Sequence, residues 1–221
     1  MHRLQQHILE RLIRHENQRY ADLKPDEVEG NLFMYHLRQL TNGGLVVKRL
    51  DGLYELTAEG KRHVGGMSLE TFTPRAQPKI VTLVVCRNEA GQYLFYRRRR
   101  QPLLGRAGFP YGKIHLGESI ADAAVRELFE KTGLAADLEH KGDGYITIYQ
   151  NGEPVSQIMF HLFYGENPVG ELLPDSAGGK AFWGTLSDVD KTFMPSVIDL
   201  LQLLKDSLSE RFFAELVYKE N

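Results

Sequence analysis

The stretch of sequence that decides the fold of the C-terminal part reads GKIHLGESIADAAVRELFEKTGL and occupies residues 112–134. It begins with a loop that contains two glycines, and Ser119 then offers an N-cap to a helix. Residues 119–132 predict that helix, and Gly133 is expected to end it because glycine readily adopts a left-handed conformation. The stretch therefore predicts a glycine loop followed by an acidic helix.

Two carboxylates on this helix indicate a metal and phosphate site. Glu127 and Glu130 are three residues apart, so a helix places them on one face. Such carboxylates repel each other unless a hard cation lies between them, and magnesium prefers oxygen ligands of this kind. A magnesium ion there also neutralises charge that develops as a phosphorus–oxygen bond breaks. The alternative interpretation is a solvated helix face with ordinary charge pairing.

The spacing of the fixed residues in this stretch resembles the Nudix box, with one exception: Lys131 stands where the box has a glutamate. The likeness extends to the turn at residues 110–113 and to Ala181-Phe182-Trp183, and it covers residues 79–208. The matching residues of the box are Gly112, Glu118, Arg126, Glu127, Leu128, Glu130, Thr132, Gly133 and Leu134. The resemblance implies a Nudix α/β/α sandwich with a mixed sheet.

The resemblance also implies roles for the residues of the box. Gly112, through its carbonyl, and Glu130 are implied to be metal ligands, and Glu127 a metal ligand or the base, so that Glu127 and Glu130 are the catalytic pair. Glu118 and Arg126 are implied to pair and to orient the loop against the helix. The cofactor implied is Mg²⁺, with Mn²⁺ as a substitute.

Lys131 changes the chemistry expected of the box. It is four residues from Glu127, so the two side chains can form an ion pair where the family has two carboxylates. Charge–charge energies of about 4 kcal/mol at close range predict weaker magnesium binding and weak or absent hydrolysis. Lys131 can instead bind a phosphate itself. Alternatively, Lys131 turns to solvent and another carboxylate completes the site; the candidates are Glu118, Glu166, Glu171 and Asp175.

Residues 97–100 are four consecutive arginines at the end of a predicted strand. Strand alternation sends two of them to each face, and Arg97 and Arg99 are predicted to bind ligand phosphates through their guanidinium groups. The alternative is a solvated basic edge. Four aromatic residues either stack on a ligand ring or pack in the core, namely Tyr96, Phe109, Tyr111 and Tyr149. His115 and His161 are predicted to be structural or surface residues.

The rest of the C-terminal part predicts strands and a last helix. Apolar and β-branched runs indicate strands at residues 80–86, 93–97, 145–149, 155–164 and 181–186. Asn151-Gly152 predicts a tight hairpin between two of these strands. Residues 196–208 predict an amphipathic helix, which residues 210–218 are expected to extend.

The N-terminal part predicts a helix at residues 2–15, a short helix at 17–25, a third helix at 27–40, a hairpin at 45–56 and a last helix at 58–64. This order resembles the winged helix-turn-helix family of transcription regulators. The resemblance implies DNA contacts from the third helix and from the hairpin, called the wing, by Asn31, Tyr35, Arg38, Lys48 and Arg49. Residues 1–66 carry ten Lys and Arg against nine Asp and Glu, however, so a dimerisation or protein-contact module is the alternative.

The sequence therefore predicts an α+β protein with a winged helix-turn-helix at residues 1–66, a linker at 67–78 and a Nudix domain with a C-terminal helix at 79–221. A single cysteine favours a reducing cytoplasm, and no stretch predicts a signal peptide or a membrane span. The function expected is a homodimeric, ligand-responsive transcriptional regulator that binds a nucleoside-diphosphate-linked ligand and double-stranded DNA. The alternatives are an active Mg²⁺-dependent Nudix hydrolase and a pair of protein-interaction domains.

Overall fold

The computed structural model describes residues 1–173, 175, 177–207 and 210–220. The chain forms two compact units, an N-terminal unit Met1–Ala76 and a C-terminal unit Gln77–Asn221. Each unit has its own cluster of buried apolar side chains. A two-part organisation is therefore present in the structure.

The N-terminal unit consists of helices and one short hairpin. Its elements are α1 (Arg3–Arg14), α2 (Tyr20–Leu23), α3 (Gly30–Asn42), β1 (Val46–Lys48), β2 (Tyr54–Leu56) and α4 (Ala58–Gly65). The apolar stripes predicted from the spacing of leucine, isoleucine and phenylalanine form its core, and the buried members are Ile8, Leu9, Leu12, Phe33, Leu37 and Leu40. This arrangement is compatible with the predicted helices and hairpin.

The segment predicted as a linker contributes to the N-terminal core. Phe72 is 7% exposed and packs in the same cluster as Ile8 and Phe33. Met67 and Pro74 form an isolated antiparallel bridge that closes this segment on itself. Residues 67–76 therefore belong to the N-terminal unit, and the unit boundary follows Ala76.

The C-terminal unit is built on a mixed β-sheet in which β3 pairs in parallel with β9 and β12 in parallel with β8. The order of the main path is β11-β4-β3-β9-β8-β12, while β5 pairs with β4, β6 pairs with β3, and β7 pairs with β10 apart from this sheet. The strands are β3 (Lys79–Arg87), β4 (Tyr93–Arg98), β5 (Ala107–Gly108), β6 (Tyr111–Lys113), β7 (Leu134–Ala135), β8 (Glu139–Gln150), β9 (Glu153–Glu166), β10 (Val169–Gly170), β11 (Gly179–Gly184) and β12 (Phe212–Glu220).

Helices cover both faces of this sheet. The helix α5 (Ile120–Thr132) packs Leu128 against one face, in a cluster that includes Cys86. The helix α6 (Ser196–Asp206) packs Leu200 in the larger cluster on the other face. Cys86 is fully buried, and this burial raises the pKa of its thiol to about 12. The C-terminal unit is therefore a mixed α/β unit with a helix layer on each face of the sheet. The helix predicted at residues 196–208 ends at Asp206, and its last predicted position, Leu208, lies outside the described residues.

The predicted extension of the last helix through residues 210–218 is wrong, because this segment is strand β12. Alternate side chains along β12 are half-buried and the intervening ones are exposed, a period of two that fits a strand with one covered face. The half-buried face carries Phe212, Ala214, Leu216 and Tyr218. This segment is a strand because its backbone pairs with β8. The prediction missed it because the local sequence does not reveal a partner that is distant along the chain.

The hairpin predicted at Asn151-Gly152 is confirmed. Both residues have positive φ, 51° and 83°, and the turn joins β8 to β9. Positive φ at both central positions matches the right-handed twist of the strands, which explains why this dipeptide is favoured there. Among the residues that the structure describes, no helix is long and apolar enough to cross a membrane.

Candidate functional site

The helix that carries the acidic residues begins and ends where the sequence predicts. Ser119 is its N-cap, and the Ser119 hydroxyl accepts a hydrogen bond from the Asp122 N–H at 3.1 Å. Gly133 ends it in the left-handed conformation with φ 75°. A Cβ atom at Gly133 would lie 2.4 Å from the Glu171 carbonyl oxygen, so glycine is required there on two grounds.

Gly112 lies directly beneath the Glu127 carboxylate. A Cβ atom at Gly112 would lie 1.7 Å from Glu127 Cδ, so any side chain there would have to displace the Glu127 carboxylate from its cationic partners. Gly112 belongs to β6 and pairs with Thr82 of β3, so the sheet holds its backbone in place. The missing side chain of Gly112 therefore lets its backbone lie close to the Glu127 side chain of α5.

Two cations hold the Glu127 carboxylate. Lys131 Nζ donates to Oε2 at 2.7 Å, and Arg126 Nη1 donates to Oε1 at 2.8 Å. Glu127 is only 6% exposed. Burial opposes ionisation, but the hydrogen bonds from Lys131 and Arg126 outweigh it and hold the pKa of Glu127 below its usual value. The ion pair between Glu127 and Lys131 that the spacing predicts is confirmed.

Arg126 binds Glu118 through two hydrogen bonds, from Nε at 2.7 Å and from Nη2 at 2.8 Å. The same guanidinium group donates to the Lys113 carbonyl oxygen at 3.0 Å, which ties α5 to the strand β6. The bonds from Arg126 and from the His115 N–H lower the pKa of Glu118 to about 2. Arg126 and Glu118 thus pair as the resemblance implies, and their orienting role stays a prediction.

Glu127 does not offer an open ligand position for Mg²⁺ or Mn²⁺, whereas Glu130 is 57% exposed at its side chain and only its Oε2 is in an ion pair. Both oxygens of Glu127 accept hydrogen bonds from cations, and Glu130 Oε2 shares Arg126 Nη1 at 3.2 Å. A hard divalent cation needs free carboxylate oxygens and is repelled by the Lys131 ammonium group. In this arrangement the residues present do not fit the ion, and we derive no chemical step through it.

The distant carboxylates considered as substitutes lie elsewhere. Glu166 accepts a hydrogen bond from the Tyr164 hydroxyl at 2.6 Å, and Asp175 forms ion pairs with Arg99 and Lys180. Within the described residues, neither these two nor Glu171 lines the cavity beside Glu127. None of these three residues therefore reaches the cavity beside Glu127.

A cavity whose charged lining residues are mostly cationic opens beside Gly112 and Glu127, and we call it the cationic cavity. Its charged lining comprises Lys79, Arg98, Arg100, Lys113, Lys131 and one carboxylate, Glu127. Of the arginine run, Arg98 and Arg100 line this cavity, whereas Arg97 and Arg99 do not. Ligand binding by Arg97 and Arg99 stays a prediction.

Arg97 and Arg99 are engaged at other places. Arg97 donates to the Gly105 carbonyl oxygen at 2.9 Å and lies over the rings of Phe182 and Phe193. Arg99 forms an ion pair with Asp175. Arg98, by contrast, is 7% exposed, and no carboxylate within the described residues forms an ion pair with it. Its burial and the nearby charge of Arg100 lower the pKa of Arg98.

A second, largely apolar cavity adjoins the cationic cavity, and Arg98 and Tyr111 line both. Arg98 lies with its guanidinium carbon 5.3 Å from the centroid of the Tyr111 ring. Three of the aromatic residues singled out in the sequence, Tyr96, Phe109 and Tyr111, line this apolar cavity, and Tyr96 and Phe109 are also core residues. The apolar cavity is small, with a volume of about 50 Å³, and it shares only Arg98 and Tyr111 with the cationic cavity.

The residues predicted to contact DNA form an exposed surface of the N-terminal unit. Asn31, Tyr35 and Arg38 are exposed on α3 and recur at spacings of four and three, so they share one helix face. Lys48 and Arg49 are exposed at the hairpin. Arg49 is engaged within the unit, because it pairs with Asp51 at 3.2 Å and donates to Asn17 at 2.8 Å.

A glycine loop beneath a carboxylate helix, on a mixed sheet covered by helices on both faces, defines a Nudix-type α/β protein. Residues 77–204 match the NUDIX domain, and the chain belongs to this family.

Two curated relatives come from Bacillus subtilis (strain 168). One, named "Putative 8-oxo-dGTP diphosphatase", is 38% identical over 92 residues, which cover 42% of this chain and 56% of that protein. The other, an uncharacterized Nudix hydrolase named YvcI, is 31% identical over 81 residues, covering 36% of this chain and 51% of that protein. The chain thus spans about half the length of these relatives. The crystal structure of a MutT protein from Bacillus halodurans has a TM-score of 0.50 and 28% identity, covering 64% of this chain and 90% of that one.

Proposed function

We propose that the C-terminal unit binds a ligand with linked phosphates, of the nucleoside-diphosphate type. The observation that carries this proposal is the charge of the cationic cavity, in which five cationic side chains face one carboxylate. Arginine and lysine side chains that are partly desolvated bind phosphate oxygens through charge-assisted hydrogen bonds. Arg98 is buried and already oriented, so little further ordering is needed to bind an anion.

The apolar cavity does not extend this binding site to a ring. Its volume is about 50 Å³, whereas a cavity that holds benzene has about 150 Å³. Tyr96 and Phe109, which line it, are buried core residues. The recognition proposed here is therefore that of the linked phosphates by the cationic cavity.

We further propose that hydrolysis by this unit is weak or absent. Lys131 and Arg126 occupy both oxygens of Glu127, the residue expected to act as metal ligand or base. A ligand phosphate that attracts Lys131 would leave Glu127 with one cationic partner and no second carboxylate at position 131. Binding without efficient turnover suits a sensor of the ligand.

An active hydrolase is the second candidate, and the relative named for 8-oxo-dGTP favours it. The region of similarity includes less than half of this chain, so the relative's substrate is a compound to test here. In this alternative, Lys131 moves onto the ligand and frees Glu127 for metal.

The N-terminal unit is proposed to bind double-stranded DNA as a winged helix-turn-helix, with α3 as the recognition helix. The exposed face of Asn31, Tyr35 and Arg38 supports this role. A symmetric operator requires two copies, so we propose a homodimer. Light scattering that gives the mass of one chain at micromolar concentration would contradict the dimer.

Calorimetry with ADP-ribose, dinucleotides, nucleotide sugars and 8-oxo-dGTP, with and without Mg²⁺, tests the binding proposal, and mass spectrometry of the same mixtures detects turnover. We expect saturable binding of at least one compound, weakened about tenfold or more in Lys131→Ala because one charge-assisted hydrogen bond is lost. Lys141→Ala, outside the cationic cavity, should bind normally. Absence of any heat across the set would overturn the binding proposal, and turnover that disappears in Glu127→Gln would establish the hydrolase.

A further inference from the structure

A cluster of two histidines and one aspartate lies on β8 and β9, on the face of the sheet that α5 covers. His140 Nε2 is 2.9 Å from Asp143 Oδ1, and His161 Nδ1 is 2.6 Å from the same oxygen. One potential ligand atom from each residue lies within 4.8 Å of the others. The three side chains are thus already gathered around a single point.

A β-bulge brings these residues together. Positions 140 and 143 differ by an odd number, so a regular strand would point His140 and Asp143 to opposite faces of the sheet. The register of β8 against β9 shifts between His140 and Gly142, which places His140 opposite Phe163 and Asp143 opposite His161. Because Phe163 and His161 are two residues apart on β9, all these side chains share one face. A bulge often redirects a side chain at a functional site in this way.

The surroundings fix the rings and leave access to solvent. The His140 ring stacks on Phe163, with centroids 5.0 Å apart and planes inclined by 29°. The side chains of His140, Asp143 and His161 are 13%, 32% and 15% exposed, so they are partly desolvated but reachable. Beside His161, in register on β3, lies Thr82, whose buried hydroxyl has no hydrogen-bond partner within the described residues.

We propose that His140 Nε2, Asp143 Oδ1 and His161 Nδ1 bind a divalent transition metal ion of the zinc class. Imidazole nitrogens favour zinc, cobalt, nickel and copper over magnesium, and two imidazoles with one carboxylate form a known type of open site. Metal–ligand bonds of about 2.0–2.2 Å in a tetrahedral site separate the ligand atoms by about 3.3 Å. The present separations of 2.6 and 2.9 Å to Asp143 Oδ1 need to open by less than about 1 Å, which side-chain rotation supplies.

The cluster contains no residue of the carboxylate helix, although both lie on one face of the sheet: Phe163, on which His140 stacks, packs with Leu128 of α5. Thr82 pairs with Gly112 on one side and with His161 on the other, so one strand, β3, lies between Gly112 and His161. Water or an added anion can occupy the fourth position of the metal ion, because a tetrahedral ion has four positions and the protein supplies three ligands. The ion joins β8 and β9 at the bulge, where regular backbone pairing is interrupted.

Titration of the metal-free full chain with Zn²⁺, in competition with a chromophoric chelator, tests the proposal. We expect one equivalent to bind, and Co²⁺ to give the visible absorption of a site with nitrogen and oxygen ligands. Asp143→Asn and His161→Gln should each weaken Zn²⁺ binding at least about tenfold, as loss of a ligand requires. His115→Gln and Glu127→Gln, which leave the cluster intact, should bind Zn²⁺ normally.

Two outcomes would overturn the proposal: no saturable binding of Zn²⁺ or Co²⁺ by the unaltered chain, or full binding by both cluster variants. Circular dichroism shows whether those variants fold. The unaltered protein gives a further test without substitution, because bound Zn²⁺ should protect His140 and His161 from diethyl pyrocarbonate. Modification of both histidines at the same rate with and without Zn²⁺ would also rule out the site.

Discussion

Lys131 Nζ lies 2.7 Å from Glu127 Oε2, one turn along α5, at the position where a Nudix box has a further glutamate. The partners are 20% and 8% exposed at their side chains, so water screens this pair less than a surface ion pair. The Lys131 ammonium group therefore stabilises the buried, ionised carboxylate of Glu127. It supplies the positive charge that a metal ion would supply in a site with two carboxylates.

Lys131→Glu should increase Mg²⁺ binding at Glu127 and, with it, the turnover of a bound diphosphate compound. The substitution removes the cation from Glu127 and supplies a carboxylate one helical turn away, so Mg²⁺ gains a ligand and loses a repulsive charge. We expect Mg²⁺-dependent turnover of a bound diphosphate compound to rise about tenfold or more, measured by mass spectrometry. Lys131→Gln is the control, because it removes the charge and adds no carboxylate. Equal turnover by all three proteins would show that residue 131 does not limit hydrolysis.

Gly112→Ala should destabilise the C-terminal unit, because the added Cβ would lie 1.7 Å from Glu127 Cδ. We expect the free energy of unfolding to fall by about 1–3 kcal/mol, the usual range for overpacking. Urea denaturation followed by the fluorescence of Trp183, which belongs to β11, reports on this unit. In the background of Glu127→Ala the same glycine substitution should cost less, since the clashing group is gone. An equal cost in both backgrounds would contradict the close approach.

The pairing of Glu118 with Arg126 should make stability depend on acidic pH. The pKa of Glu118 is about 2 in the folded chain, below its ordinary value of 4.5. A lowered pKa stabilises the fold above about pH 4.5, and this contribution disappears as the pH falls towards 2. The difference in unfolding free energy between the unaltered protein and Glu118→Gln should therefore narrow over that window. Glu89→Gln, at an exposed turn, is the control, and a difference that stays constant with pH would refute the role of Glu118.

Arg38→Ala tests the N-terminal unit as a DNA-binding module. If Arg38 contacts a phosphate, its loss should weaken binding to a selected operator about tenfold and reduce the slope of affinity against salt by about one. Genomic footprint selection supplies the operator, and fluorescence anisotropy measures the affinity. Arg62→Ala, on α4 and paired with Glu59, is a matched control for net charge. Failure to enrich any DNA sequence would count against DNA binding by this unit.

The sequence anticipates those parts of the fold whose signals are local. Ser119 and Gly133 delimit α5 because a cap and a left-handed residue act within one turn, and Asn151-Gly152 sets its hairpin for a similar reason. The ion pairs of the site are local in the same way. Glu127 and Lys131 pair because they are one helical turn apart, and Arg126 pairs with Glu118 of the adjoining loop.

The features that sequence reasoning missed depend on distant partners. Strand alternation separates Arg97 from Arg98, but only the packing of the whole sheet decides which of the two reaches the cavity. The strand β12 is defined by its pairing with β8, and the grouping of His140 with Asp143 and His161 depends on a bulge that no local pattern announces. A search for histidines and carboxylates on paired strands could have identified that cluster once the hairpin register was known.

The burial of Cys86 has a practical consequence for labelling. It is the only cysteine in the sequence, its side chain is fully buried, and its thiol ionises only at about pH 12. Maleimide reagents attack thiolates, so the native chain should stay unmodified at neutral pH. A cysteine introduced at exposed His15 would then be the sole attachment point for a dye or spin label, without any need to remove the natural thiol.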